Sequence, residues 1–384
     1  MICLLPNCHS LSGTSRMLAI HGALRERGAE VGVATHGGPY EWLLRGGGID
    51  YAPLGGGDPP AQEAAEAEHL RAIGARAVVT GRTLTARGAT RLAGIPLVTA
   101  GAGSWVPPMW ERGLLPLPFE PVGMPFERWL PRPLRRRMFN RRVTGTTGDP
   151  ALALGDLTLV TDVKELLGIT GTGIDGWRPR DPALYREGVR LKLVGPIPGD
   201  LDVPMPGRVE RLLAGPGPIV YVAITSTGPA LVRSAVGALR PLGARILVAA
   251  TVHDLAGLED DQVAVEAVLP SRLVMPQVDL AVIAGGQGSV HTALAAGVPF
   301  VGLPVGPEQR LNVALAERAG AAEAVAPHLA GSPELTRTAR ELITGPRHRV
   351  GAERLRAALA SADGPGRAAA AIVGVASGVA VHPG

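Results

Sequence analysis

The stretch from Asp279 to Pro304, DLAVIAGGQGSVHTALAAGVPFVGLP, decides the fold of this chain. Its apolar start, from Leu280 to Ile283, predicts a buried strand that runs directly into a glycine-rich turn. A helix is expected from Ser289 to Ala296, and a second apolar strand is expected from Phe300 to Leu303. Short apolar strands that alternate with helices are typical of a parallel sheet covered on both faces, so the stretch predicts an α/β fold.

The same region holds the longest run without Asp, Glu, Lys or Arg, which extends from Leu280 to Pro307. A membrane-spanning helix needs about 20 consecutive apolar residues. Because glycines and prolines divide this run into short pieces, a buried strand–turn–helix–strand unit is expected instead. The chain begins with apolar residues and no basic segment, so no secretory signal is predicted and a cytoplasmic location is expected.

Composition narrows the class of protein further. The 384 residues are 46% apolar and 19% charged, which predicts a folded chain of two domains. The net charge of +4 is small for this length, so no nucleic-acid partner is expected. Cys3 and Cys8 are the only cysteines, which excludes a disulfide framework and a zinc spacing. Eleven of the 13 aromatic residues lie at or before Tyr185, so the N-terminal half is expected to bind an apolar group.

The strand and helix pattern divides the chain into two doubly wound halves. Residues 1–195 are predicted to form an N-terminal domain, and residues 196–217 are rich in proline and glycine, which indicates an interdomain linker. The alternation restarts in residues 218–362, the predicted C-terminal domain, and residues 363–384 are predicted to form a C-terminal helix and tail. In folds of this kind ligands bind beyond the carboxyl ends of strands, so a site is expected in the cleft between the halves.

The glycine turn has a mechanical meaning of its own. Gly285, Gly286 and Gly288 let the backbone approach an anion closely, and Ser289 at the expected helix start can cap the helix and donate a hydroxyl to phosphate. No Gly-Lys-Ser/Thr follows, so the turn is not a P-loop, and its glycine spacing does not match a dinucleotide fingerprint. The turn therefore predicts a diphosphate cradle that needs no lysine.

The cradle stands within a longer series of motifs. They are GGQGS at 285–289, ALAAGVP at 293–299, LP at 303–304, EQ at 308–309, Asn312, VGP at 194–196 and VYVAITSTG at 220–228. Together they resemble the GT-B glycosyltransferases, and more narrowly the UDP-glucuronosyl and macrolide-type transferases of family 1 that act on natural products. The resemblance implies two Rossmann-like domains that face each other across a cleft, with the acceptor bound by residues 1–195 and the donor by residues 218–362.

This resemblance implies inverting transfer of a sugar from a nucleotide-diphosphate sugar, a UDP- or dTDP-sugar, to a small hydrophobic acceptor. It implies no cofactor and no obligatory metal. A carboxylate beside an amide suits several sugar hydroxyls, which fits Glu308 and Gln309. Carried over by position, the donor-binding residues are Ser226, Thr227, Val268, Leu269, Gly285, Gly286, Gly288, Ser289, Glu308 and Gln309.

The sequence departs from the family pattern at three donor positions. Ala284 stands where many relatives have a histidine before the two glycines, and Thr225 stands where a loop glycine is usual. Val268 stands near the place of an aromatic residue that stacks on the base. These departures leave the backbone cradle in place, and they imply that the base is bound through backbone groups around Val268 and Leu269.

The catalytic base is expected in the loop after the first strand. A histidine suits the removal of a proton from an acceptor hydroxyl, and His9 lies in that loop, although earlier than in relatives. Glu111 is the first carboxylate after Arg71, so it is the candidate partner of the base. A solvated loop histidine is the alternative interpretation, and the acceptor would then be a phenol, an amine or an activated carbon.

The acceptor is expected to lie against the aromatic-rich N-terminal half. The candidate acceptor residues are Thr14, Tyr40, Trp105, Trp110 and Phe126. His36 and His291 are both interpreted as structural, His36 because it stands beside two glycines that shape a loop, and His291 because it lies in the first turns of the helix after the cradle.

Two other functions stay open. The basic run from Arg132 to Arg142 is usually a solvated helical face, but it also suits a weak contact with a membrane surface. With that contact, the chain would glycosylate a lipid-linked or cell-wall intermediate. Alternatively, the change at Ala284 and the missing base partner would fit a catalytically silent homologue that binds a nucleotide sugar and assists a partner transferase. The oligomeric state stays undetermined.

Overall fold

A computed structural model of the protein describes residues 1–81, 85–111, 131, 154–179, 188–199, 203–225, 227–251 and 253–378. These residues form two compact units. The first unit is built on residues 1–111, 154–199 and 362–378, and the second is built on residues 203–361. Each unit has one sheet, and every pairing between the strands named below is parallel.

The first unit has a seven-stranded sheet with the order β3-β2-β1-β4-β5-β6-β7. Its strands are β1 (Ile2–Leu5), β2 (Val31–Thr35), β3 (Ala52–Pro53), β4 (Ala77–Thr80), β5 (Leu97–Gly101), β6 (Leu157–Val160) and β7 (Arg190–Leu193). Its helices in this part of the chain are α1 (Leu11–Glu26), α2 (Trp42–Gly46), α3 (Pro59–Ala72), α4 (Thr85–Ala93), α5 (Pro107–Glu111), α6 (Lys164–Leu167) and α7 (Gly171–Asp175).

The second unit has a six-stranded sheet with the order β10-β9-β8-β11-β12-β13. Its strands are β8 (Ile219–Ala223), β9 (Arg245–Ala249), β10 (Val263–Glu266), β11 (Leu280–Ile283), β12 (Phe300–Gly302) and β13 (Ala322–Ala324). Its helices are α8 (Gly207–Leu213), α9 (Pro229–Leu239), α10 (Ser271–Val274), α11 (Gln287–Ala295), α12 (Pro307–Arg318), α13 (Pro333–Thr344) and α14 (Pro346–Ala360). The final helix, α15 (Gly364–Ala376), belongs to the first unit.

The central strands are apolar because both of their faces are covered. All four residues of β1, β4 and β11 are buried, and β11 has the bounds that the sequence predicts, Leu280–Ile283. Helix α1 begins at Leu11, because the Ser10 hydroxyl accepts a hydrogen bond from the Gly13 N–H and caps the helix. The predicted doubly wound α/β class is therefore confirmed.

The run that resembles a membrane span forms β11, α11 and β12. Its two strands are fully buried in the second sheet, as the composition predicts. No helix among the described residues is long and apolar enough to cross a membrane.

The final helix packs on the helix that follows β1. Ala368, Ala369, Ala371 and Ile372 are buried in one core with apolar residues of β1 and α1, although residues 363–384 were expected to form a separate helix and tail. The contact with the segment after β7 is close, because a Cβ on Gly364 would lie 1.8 Å from the carbonyl oxygen of Pro196. The chain thus returns to its first unit after completing the second.

The segment expected as a linker contains structure of its own. Helix α8 lies within residues 196–217, and its C-terminal end is held by Arg245 of β9. The guanidinium donates to the carbonyl oxygens of Leu212, Leu213 (2.9 Å) and Gly217 (2.5 Å). A cation at a helix C-terminus is favourable because the last carbonyl groups have no partner within the helix.

Candidate active site

The turn after β11 requires glycine at its first position. Gly285 has a φ of +87°, which side chains rarely adopt, and a Cβ there would lie 2.5 Å from Cγ2 of Val313 and 3.0 Å from the carbonyl oxygen of Gln309. By contrast, a Cβ on Gly286 would meet no atom within 4 Å. The backbone is therefore packed tightly on the side of α12 and open at Gly286.

Helix α11 begins at Gln287, two residues before the expected start at Ser289. Gly286 is the N-cap, in an extended conformation and with no side-chain capping bond. The Val290 N–H donates to the Gly286 carbonyl oxygen at 3.0 Å and is the first N–H with an acceptor four residues back in the helix, so the N–H groups of Gly288 and Ser289 precede the helix ladder. Ser289 is half-buried in the first turn and is not the cap, which corrects the expectation. Such a helix start favours a bound anion.

Glu308 and Gln309 lie in the first turn of α12, and Pro307 at the first helical position favours a helix start there. The Gln309 carbonyl oxygen Oε1 accepts from the Val305 N–H at 2.9 Å and from the Gly306 N–H at 2.8 Å. The oxygen of Gln309 is thus used by the backbone of its own turn. Glu308 is half-buried in the same turn.

Asn312 of α12 contacts the glycine turn that precedes α11. It is buried, and its Nδ2 donates to the Gly285 carbonyl oxygen at 3.0 Å. Asn312 is one of the family-like motif residues in the sequence, but the sequence predicts no role for it. His291 is buried in α11, as the structural interpretation expects.

The loop after β8 lies at the same edge of the second sheet as the glycine turn, because β8 and β11 are paired. The Thr227 hydroxyl donates to the carbonyl oxygens of Ile224 at 3.3 Å and Gly228 at 3.4 Å. The hydroxyl proton of Thr227 is therefore directed into the loop. The hydroxyl could donate to a phosphate only after it rotates away from these carbonyl oxygens. Ser226, the other predicted donor residue here, lies outside the described residues.

The expected base-binding segment follows β10. Val268 is half-buried and Leu269 is buried. The Ser271 hydroxyl lies 3.3 Å from the Leu269 carbonyl oxygen and 3.3 Å from the buried Tyr221 hydroxyl, and burial raises the pKa of Tyr221. This contact anchors the segment to β8. Ala284 is buried, and its N–H continues the strand bonding by donating to Ala223 at 3.4 Å.

In the first unit, His9 and Tyr40 lie in neighbouring loops. His9 is exposed, and its N–H donates to Oδ1 of Asn7 at 3.1 Å. The Tyr40 N–H donates to the Cys8 carbonyl oxygen at 3.0 Å. A Cβ on Gly38 would lie 2.6 Å from that same oxygen, so the two loops approach closely. Partial burial raises the pKa of the Tyr40 phenol, which keeps it neutral near pH 7.

The other predicted residues of the first unit are placed differently. Thr14 is fully buried, and its hydroxyl donates to the Ser10 carbonyl oxygen at 2.9 Å. In this structure Thr14 therefore shapes the His9 loop and does not face an acceptor. The backbones of Trp105, Trp110 and Glu111 are described, but their side chains are not, and Phe126 and the run from Arg132 to Arg142 lie outside the described residues.

His36 is held in the loop after β2. Its Nδ1 lies 2.9 Å from the Gly55 carbonyl oxygen, and its Nε2 lies 2.8 Å from Oε1 of the buried Glu66. The Thr85 hydroxyl donates to the same Glu66 oxygen at 2.6 Å. Because both ring nitrogens have partners, His36 acts as a structural tie between the loop and α3.

Three comparisons with known proteins bear on this site. Residues 268–358 match the family model for UDP-glucoronosyl and UDP-glucosyl transferases. A PGL/p-HBAD biosynthesis glycosyltransferase of Mycobacterium tuberculosis is 26% identical over 309 residues, which cover 76% of this chain and 68% of the relative. The 4'-demethylrebeccamycin synthase of Lentzea aerocolonigenes is 33% identical over 178 residues, which cover 45% of this chain and 42% of the relative.

Solved structures share the fold over the whole chain. The glycosyltransferase VinC in complex with dTDP has a TM-score of 0.68 and 17% identity, and covers 98% of this chain and 100% of its own. The calicheamicin glycosyltransferase CalG4 has a TM-score of 0.66 and 18% identity, and covers 99% of each chain. The solved structures show that the chain has the GT-B fold, and the matches to transferases in its C-terminal part identify it as a glycosyltransferase.

Proposed function

We propose that this glycosyltransferase takes its sugar from a UDP- or dTDP-sugar and transfers it, with inversion at the anomeric carbon, to a small hydrophobic natural-product acceptor. The observation that carries the proposal is the turn between β11 and α11. Its residue Gly286 is the N-cap of α11, has open space beside it, and provides no side-chain hydrogen bond to the first N–H groups of the helix. A diphosphate suits such a helix start. The dTDP in the VinC complex supports the same ligand class.

In the proposed reaction the acceptor oxygen attacks the anomeric carbon while the bond from that carbon to the diphosphate oxygen breaks. The bonding electron pair leaves with the nucleoside diphosphate, which gains negative charge. The N–H groups at the start of α11 would stabilise that charge where it develops. The acceptor proton passes to the imidazole of His9, which is exposed at the carboxyl end of β1.

Sugar recognition falls to the start of α12. The Glu308 carboxylate is half-buried and accepts hydrogen bonds, while the Gln309 NH2 group donates them. A pair of side chains with both properties can distinguish a sugar from its epimer. In the wrong epimer one hydroxyl is misplaced, and a partly buried polar group of the protein then loses its hydrogen-bond partner.

The proposed reaction needs no metal ion. Backbone N–H groups would supply the charge stabilisation that a metal ion gives in other enzymes. Turnover in excess EDTA should equal turnover in added Mg²⁺. Loss of activity in EDTA that Mg²⁺ restores would contradict this part of the proposal.

The central test identifies the donor. The purified protein is incubated with UDP, dTDP, GDP and ADP, and the melting temperature is recorded, followed by hydrolysis of the corresponding sugars. We expect UDP or dTDP to raise the melting temperature and its sugar to be hydrolysed or transferred. The absence of stabilisation by any nucleoside diphosphate would reject the proposal. Stabilisation without transfer or hydrolysis across a broad acceptor panel would favour the silent, auxiliary protein.

A second candidate function is glycosylation of a cell-wall glycolipid precursor. The observation that favours it is the extent of the mycobacterial match, which covers 76% of this chain, against 45% for the rebeccamycin-type relative. Competition between a long-chain phenolic lipid in vesicles and a polyketide aglycone separates the two functions. Higher kcat/KM for the lipid would replace the natural-product acceptor with the glycolipid precursor.

A further inference from the structure

Two side chains of the second unit form hydrogen bonds with backbone carbonyl oxygens at the predicted donor loops. Asn312, buried on α12, donates from Nδ2 to the Gly285 carbonyl oxygen at 3.0 Å. His253, half-buried in the loop after β9, lies with Nε2 3.2 Å from the Ile224 carbonyl oxygen, after β8. A carbonyl oxygen only accepts, so Nε2 of His253 carries the proton and donates it.

The loop that carries His253 is held in a strained conformation. Thr251 has a φ of +55° and is the single non-glycine residue with positive φ in the described part of the chain. Its N–H donates to the Ala267 carbonyl oxygen at 2.9 Å, and the His253 N–H donates to Ala250 at 2.9 Å. Arg233 donates to the carbonyl oxygen of Ala256 at 3.0 Å, farther along the loop. Strain that the surrounding bonds enforce is typical of functional sites.

The planarity of the peptide bond converts these contacts into an orientation. In a trans peptide the C=O and the following N–H point in opposite directions. Holding the Gly285 carbonyl oxygen against α12 therefore turns the Gly286 N–H away from α12, beside the open space at Gly286. Holding the Ile224 carbonyl oxygen against His253 likewise turns the Thr225 N–H away from the β9 loop.

We propose that His253 and Asn312 are positioning residues of the donor site. Each holds one carbonyl group and thereby aims the next N–H, of Thr225 or of Gly286, toward the diphosphate. The inference rests on the proposed function, because it requires a diphosphate ligand, and it assigns a role to a residue, His253, that lies outside the motifs of the sequence. Neither side chain touches the ligand in this arrangement.

The test separates diphosphate affinity from nucleoside affinity. His253→Ala, His253→Gln and Asn312→Leu are compared with the wild type and with His328→Ala, an exposed histidine of the same unit. Affinity for dTDP and UDP is measured by calorimetric titration, and affinity for thymidine and uridine is measured by competition. Inorganic pyrophosphate serves as a probe without a base, and each melting temperature is recorded.

We expect His253→Ala and Asn312→Leu to bind the nucleoside diphosphate and pyrophosphate about tenfold more weakly, while nucleoside affinity stays within about twofold. His253→Gln should restore binding, because its amide also donates, and His328→Ala should match the wild type. Equal losses for nucleoside and diphosphate, or an unchanged His253→Ala, would overturn the inference alone. A wild type that binds no diphosphate would overturn the proposed function together with it. Should Asn312→Leu fail to fold, the two His253 variants decide.

Discussion

His9 is the residue on which the proposed chemistry depends most. Its ring is exposed in the loop after β1, beside the loop of Tyr40. His9→Ala should lower turnover about 100-fold or more with little change in donor affinity, because the base acts on the acceptor. Steady-state kinetics with the identified donor and acceptor check this, and His69→Ala on α3 is the control. Near-normal turnover in His9→Ala would remove its assignment as the base.

Glu308 should determine which sugar is accepted. Its carboxylate is half-buried at the start of α12, and Glu308→Gln replaces an acceptor-only group with a mixed one. The kcat/KM for the preferred sugar should fall about tenfold or more, while affinity for the nucleoside diphosphate, which lacks the sugar, stays constant. Kinetics across epimeric donors measure this. An equal loss for all epimers would mean that Glu308 does not select the sugar.

The two thiols should be unreactive in the folded protein. Burial, with a smaller effect of the Glu66 charge, raises the pKa of Cys3 to about 12, and burial also raises the pKa of Cys8. Thiol titration at pH 8 should therefore show reaction of both cysteines only after denaturation. Rapid reaction of either thiol in the native protein would contradict this placement.

The raised pKa of Cys3 also predicts how the stability of the folded protein changes with pH. The unfolded Cys3 thiol ionises near its ordinary pKa of 9.0, whereas the folded thiol stays neutral to about pH 12. Its contribution to folding is thus complete below pH 9 and is lost as the pH rises from 9 to 12. Between these limits the loss is about 1.4 kcal/mol per pH unit. Denaturant unfolding of the wild type and Cys3→Ala across this range measures it, and equal slopes would contradict it.

At the scale of elements, the β11–turn–α11 unit depends on one glycine. Gly285→Ala places a Cβ at positive φ and 2.5 Å from Cγ2 of Val313. We expect a loss of about 1–3 kcal/mol in stability and a larger than tenfold loss in nucleoside diphosphate affinity. Gly237→Ala on α9, where a Cβ meets nothing within 4 Å, is the matched control. It should be neutral or stabilising by about 0.4–1 kcal/mol.

At the scale of the molecule, the chain end is part of the first unit. Ile372 on α15 is fully buried in the core that contains β1 and α1. Ile372→Ala should therefore lower the free energy of unfolding by about 2–5 kcal/mol. Denaturant unfolding measures it, with Val350→Ala as the control, because Val350 is 68% exposed on α14. Similar small effects of both substitutions would mean that α15 contributes little to this unit.

The class of fold and the position of the glycine turn were predictable from the sequence alone. Both depend on local patterns: the fully buried strands β1, β4 and β11 have continuous apolar runs, and Gly285 to Ser289 is a strand-to-helix turn. Their bounds were predictable because burial on both faces requires apolar residues at every position. Helix starts at α1, α11 and α12 were less predictable, because caps and N-terminal prolines extend helices beyond their apolar stripe.

The tertiary structure determines which side chains are buried beside the loops and which form hydrogen bonds with them. Thr14 is polar and yet fully buried, beside the buried Ser15 and Met17 of α1. The hydrogen bond between His253 and the Ile224 carbonyl oxygen joins residues 29 positions apart, in the loops after β9 and β8. This contact depends on the order of strands in the sheet, which places β9 beside β8, and no local pattern records that order.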